Sequence, residues 1–133
     1  MSSRWLALVA LFGATVAWGA PDNKTPYCGK PCRTHPQLVG ACFTFRGRMN
    51  SWNGAPSVRI WRVGTKRILG VSEQRFRLEG FCNLPSELSA QLSWGTNLFG
   101  DFTVCPLTEE KPGEMQIVCV EGGTNLDVRK REP

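Results

Sequence analysis

Six cysteines, Cys28, Cys32, Cys42, Cys82, Cys105 and Cys119, constrain this 133-residue chain more than any other feature. An even cysteine count in a chain that leaves the cytosol reads as a disulfide framework. The N-terminus supplies that expectation of export. Arg4 gives a positive start, and residues 5–16 form an apolar stretch of secretory-signal length, too short to cross a bilayer. Ala17-Trp18-Gly19 then places small residues three positions and one position before a cut. The sequence predicts a signal peptide over 1–19 and a periplasmic or extracellular destination. It predicts no transmembrane segment in the mature chain that begins at Ala20.

Six half-cystines allow many connectivities, and one pair can be argued from position. Cys105 and Cys119 lie symmetrically about Pro112, inside the turn signal Lys111-Pro112-Gly113. Two strands folding back there bring these sulfurs opposite each other, which predicts a Cys105–Cys119 bond. The pairing of Cys28, Cys32, Cys42 and Cys82 stays open. Three residues separate Cys28 from Cys32, so the segment is neither a CxxC redox motif nor a haem attachment site. A zinc site would need more ligands than the lone His35 adds, so no metal or other cofactor is expected. The two cysteines read as structural, within a Pro-rich lead over 20–37, and His35 reads as an exposed loop residue. Asn23-Lys24-Thr25 is a glycosylation acceptor pattern.

The remainder, 38–133, reads as one domain made of strands. Ala41, Phe43 and Phe45 alternate with Cys42, Thr44 and Arg46. Asn53-Gly54 signals a hairpin turn. Further strands are expected over 58–63, 67–71, 75–80, 99–104 and 115–120, with a last short one at Leu126 and Val128. Leu84, Leu88 and Leu92 recur at four-residue spacing behind Pro85, which predicts one helix over about 85–94. Short strands with a single helix argue for an antiparallel sandwich or a small barrel; the expected fold is mainly β, a single antiparallel β-sandwich with one short helix, linked by disulfides.

Gly47, Gly54-Ala55-Pro56 and the alternating Val58 and Ile60 carry a resemblance, over 43–71, to transthyretin-like and carboxypeptidase-regulatory-like β-sandwiches. That resemblance implies a sandwich fold and nothing about a site. The segments FGDFTVCP and PGEMQIVCVE, with the stretch before Val71, also look like small exported bacterial proteins of unassigned activity. This second likeness implies export and brings no ligand with it.

Charge is divided along the chain. Ten basic residues and one acid (Glu73) fall within 30–78, whereas eight acids and one base (Lys111) fall within 79–127. Either the two halves pair across a sheet surface, or the basic strands form a face for an anionic partner. Arg outnumbers Lys in the basic half, and its planar fork suits carboxylate, sulfate or phosphate. The candidate ligand-binding residues are therefore Arg46, Arg48, Arg59 and Arg62, with Trp52 beside the Asn53-Gly54 turn as a stacking surface. Arg59 and Arg62, three apart, are expected on opposite faces of their strand. An anionic polysaccharide, an envelope surface or an acidic protein fits such a face. Nucleic acid does not, because no recognised nucleic-acid motif is present.

Catalysis finds little support. No G-x-S-x-G elbow accompanies His35. Glu109 and Glu110 are the carboxylates a small secreted hydrolase would use. Beside the Lys111-Pro112-Gly113 turn they read as solvated loop acids. Cys28 and Cys32 would serve a thiol-redox or metal protein if they were reducible or free. The reading that best fits the sequence is an exported, non-catalytic binding or envelope-associated module.

Overall fold

The structure, a computed structural model, describes Gly13 and residues 28–71 and 78–132. Apart from Gly13, the expected signal peptide lies outside the described residues, as do Asn23 and, of the expected 75–80 strand, Arg75 and Arg77. Of that strand's described part, Leu78 makes only an isolated bridge to Phe81.

Five strands close into a barrel in the order β1-β2-β3-β5-β4. They are β1 (Phe43–Ser51), β2 (Val58–Arg62), β3 (Ile68–Val71), β4 (Thr96–Pro106) and β5 (Gln116–Lys130). All pairings are antiparallel except β3 with β5, which run parallel. The strands thus form one closed sheet, and the single antiparallel sandwich expected is not confirmed. The difference arises in β5, whose 15 residues absorb the short strand expected at Leu126 and Val128. Its first part pairs with β3 and the rest runs along β4, which closes the circle. Register shifts in the β4–β5 ladder at Phe99/Asp101 and Thr103/Val104 provide the bends that closure needs. A helical segment lies between β3 and β4. Topology of this kind identifies an architecture, and no ligand follows from it.

The core follows from strand alternation. Phe45 and Met49 of β1, Ile60 of β2, Leu69 and Val71 of β3, Leu98 and Phe102 of β4, and Val118 and Val120 of β5 fill the barrel. The helix α1 spans only Ser86–Ser89, shorter than its leucine spacing suggests. Beyond Ala90 the chain continues in tighter turns, with Gln91 N–H donating to Leu88 and Leu92 N–H to Ser89. Leu84, Leu88 and Leu92 nonetheless all reach the core. Among the described residues no helix is long and apolar enough to cross a membrane.

A second apolar cluster sits where the N-terminal lead crosses the barrel. Cys32, Cys105, Leu107, Ile117 and Cys119 are buried there, with Leu38 and Cys42 packed against them. Three disulfides fasten it: Cys28–Cys82, Cys32–Cys119 and Cys42–Cys105. The expected Cys105–Cys119 bond is not formed, although the two residues are register partners. The described part of the lead, from Cys28 on, is thus fastened to the barrel. His35 is correspondingly buried, with its ring 4.7 Å from that of Phe81, and is not the exposed loop residue expected. Arg33 closes the seam through Nε and Nη2, which donate to the Glu121 carboxylate at 2.8 and 2.6 Å.

Candidate anion-binding groove

The alternation that sends Phe45, Gly47 and Met49 inward turns Arg46 and Arg48 outward on β1. Two rows of register partners cross the outer face. One runs Trp61 (β2), Arg48 (β1), Phe99 (β4), Asp127 (β5). The other starts with Arg59 opposite Asn50, continues through an Asn50–Asn97 hydrogen bond of 3.0 Å, and ends with Arg129 opposite Asn97. Beyond β5, the Arg131 N–H bonds to Gly95 O at 2.7 Å, which holds the chain end against the start of β4. Arg48, Asn50, Trp52, Asn97 and Phe99 then share one groove with Arg129, Lys130, Arg131 and Glu132. Its volume is about 400 Å³, enough for a small ligand or one or two sugar units.

Each guanidinium that lines the groove, and that of Arg59 beside it, lies over an aromatic ring. Arg48 is 4.8 Å from the Trp61 centroid and Arg129 4.8 Å from that of Phe99, while Arg59 and Arg131 both lie 5.1 Å from Trp52. A ring engages the guanidinium's flat face and leaves the N–H donors at its edge. Some of those donors are already used. Arg59 Nε donates to Pro56 O, Arg131 Nη1 to Ser51 O, and Arg129 Nε to Asp127 at 2.7 Å. Arg48 differs: among the described residues it has no salt-bridge partner, and its buried Nε makes no hydrogen bond.

Of the five residues singled out from sequence, the fold brings Arg48, Arg59 and Trp52 together. Arg46 stands further along β1, 3.6 Å from Asp101 and bonded to Asn125 O. Arg62 has the opposite parity from Arg59, as its spacing implies, and lies over the Phe45 ring. The charge division is thus resolved both ways. Arg33, Arg46 and Arg67 pair with acids of the C-terminal half, whereas Arg48 is left to the groove. Trp52 is exposed and lines the groove, and the Arg59 and Arg131 guanidiniums each lie 5.1 Å from its ring centroid.

Sequence reasoning missed Arg129, Lys130 and Arg131. The signal was available, since the basic triplet directly continues the alternation of Leu126 and Val128. Asn50 and Asn97 were also missed, although Asn is depleted from strands and a mid-strand Asn asks for a reason.

The other candidates lie elsewhere. Glu109 and Glu110 are exposed on the loop after β4, and Glu110 pairs with Arg67 at 3.2 Å. Cys28 and Cys32 are bonded to distant partners and not to each other. Cys42, Cys105 and Glu121 approach closely enough to suggest a metal site, but both sulfurs belong to one disulfide and are not thiolates. Comparison with protein-family profiles, curated proteins and solved structures finds no match to this chain.

Proposed function

We propose that this chain is an exported, non-catalytic binding module that takes an anionic ligand in the groove over β1, β4 and β5. Three disulfides fit an exported protein. The observation that carries the binding reading is Arg48. A guanidinium stacked on Trp61, with no carboxylate partner among the described residues, stands in a groove whose other charged lining groups are Arg129, Lys130, Arg131 and Glu132. Holding an unpaired cation beside others of like charge is unfavourable until an anion neutralises them. A stacked guanidinium is also pre-organised for bidentate contact with a planar oxyanion.

Titration of the mature protein with sulfate-, phosphate- and carboxylate-bearing ligands at several salt concentrations tests this. Binding should weaken steeply with salt. Arg48→Ser should reduce affinity at least about tenfold, the scale of one charge-assisted hydrogen-bond pair. Unchanged affinity in Arg48→Ser would remove the groove from the account.

A further inference from the structure

Trp94 separates the possible anions. It is the most exposed large apolar residue described, at 63 %, and its backbone is tied to Arg131, which lines the groove. Arg131 Nη1 ties the two together, donating to Ser51 O at 3.3 Å and to the Trp94 carbonyl at 3.5 Å. The other aromatics of this face, Trp52, Trp61 and Phe99, each carry a guanidinium over the ring. Among the described residues no cation and no ring stacks on Trp94. Trp94 thus stands outside the groove lining as an exposed indole with nothing stacked on it, linked through its carbonyl to Arg131 of the groove.

Resting on the reading above, we infer that the ligand is an acidic oligosaccharide. Its carboxylate or sulfate groups meet Arg48 and Arg131, and one of its sugar rings lies on the Trp94 indole. A pyranose presents a flat C–H face to an indole and hydroxyls to amides, while its acidic group supplies the counter-charge. Acidic peptides match the cations but have no comparable use for a solitary exposed indole. A bilayer surface could seat the indole at its interface, yet a concave groove of about 400 Å³ suits an inserted unit better than a flat surface.

The test uses the mature protein with a hexamer of galacturonic acid and a sulfated hexasaccharide. Poly-glutamate, an oligothymidylate and phosphatidylglycerol vesicles serve as competitors of equal charge chemistry. Trp94→Ala should weaken oligosaccharide binding roughly five- to tenfold while leaving its salt dependence unchanged. Trp94→Phe should restore most of the loss. Arg48→Ser should weaken binding and flatten the salt dependence. Because Trp94 is exposed, its truncation should leave the melting temperature unchanged, so a loss of binding is not a loss of fold. If Arg48→Ser weakens binding and Trp94→Ala does not, the anion site stands and the sugar platform is overturned. Tighter binding of poly-glutamate, oligothymidylate or vesicles than of either oligosaccharide overturns the choice of occupant. Failure of the unmodified protein to bind any probe overturns the underlying reading itself.

Discussion

Cys105 and Cys119 face each other across β4 and β5, yet their sulfurs bond away from each other, to Cys42 and Cys32. Directly opposed strand residues hold their Cβ atoms ~4.5–5.5 Å apart, whereas a relaxed disulfide wants ~3.5–4.5 Å. Cys32 of the lead and Cys42, just before β1, take these sulfurs instead, and through Cys32 the lead gains its attachment to the barrel. Peptide mapping without reduction should recover 28–82, 32–119 and 42–105 linkages and no 105–119 linkage. The Cys32–Cys119 bond spans 87 residues, so replacing both cysteines by Ser should cost about 2–5 kcal/mol, read by denaturant titration. A recovered 105–119 peptide would show that the lead is fastened in some other way.

The hairpin itself was legible because its signals are local. Lys111-Pro112-Gly113 forms the expected turn, with Gly113 at φ 76° and Glu114 N–H bonded to Lys111 O. The opposition of Cys105 and Cys119 could be counted from it. Which sulfurs bond could not, because that depends on where residues 28–42 cross the barrel, and nothing in their own pattern encodes the crossing. Barrel closure was hidden for a related reason. Whether β5 pairs with one neighbour or two is a long-range property, and the alternation of Val118, Val120, Leu126 and Val128 is compatible with either. The groove was half legible. Arg48 and Arg59 follow from strand parity, but Arg129 and Arg131 reach the site only because β5 returns along β4.

Phe102 occupies the barrel centre only because three glycines make room for it. A Cβ at Gly47 would come within 3.0 Å of its ring, at Gly123 within 3.0 Å and at Gly100 within 3.2 Å. The Gly47 position would also meet Ile60 at 2.7 Å and Phe45 at 2.9 Å. All of these neighbours are buried and none can swing aside. Gly47→Ala should therefore destabilise the protein by about 1–3 kcal/mol through overpacking. Phe102→Ala should cost about 3–5 kcal/mol through the cavity it leaves. Urea unfolding midpoints check both, and a neutral Gly47→Ala would mean that the barrel can widen at β1.

Glu121 should make the lead's attachment acid-sensitive. The hydrogen bond from the Arg33 guanidinium holds its carboxyl below the ordinary carboxylate range, against the opposing effect of partial burial. A carboxyl whose pKa is lowered on folding contributes stability that is present above its unfolded value, near 4.3. That contribution is lost as pH falls through the lowered folded value. Glu121→Gln should thus melt below the unmodified protein at neutral pH, and the gap should close as pH drops below about 4. Because Arg33 is largely exposed, added salt should also narrow the gap. Melting curves at pH 7 and at acid pH decide it. A gap that persists undiminished in acid would assign the effect to packing and not to charge.

Asn50 links the stability of the barrel to the shape of the groove. It is 4 % exposed, donates through Nδ2 to Asn97 Oδ1 and accepts from Trp52 Nε1 through Oδ1. Trp52 in turn lies under Arg59 and Arg131. Asn50→Ala removes both hydrogen bonds and should destabilise the protein by about 1–3 kcal/mol. Asn50→Asp is the sharper test, because a carboxylate can still accept from the indole but can no longer donate to Asn97. Its negative charge also falls beside Arg48 and Arg59. That variant should keep Trp52 in place, judged by an unchanged indole emission, yet bind anionic ligands at least about tenfold more weakly because the groove carries its own counter-ion. Unchanged anion binding in Asn50→Asp, with the fold intact, would show that the ligand's charge is not read at this face.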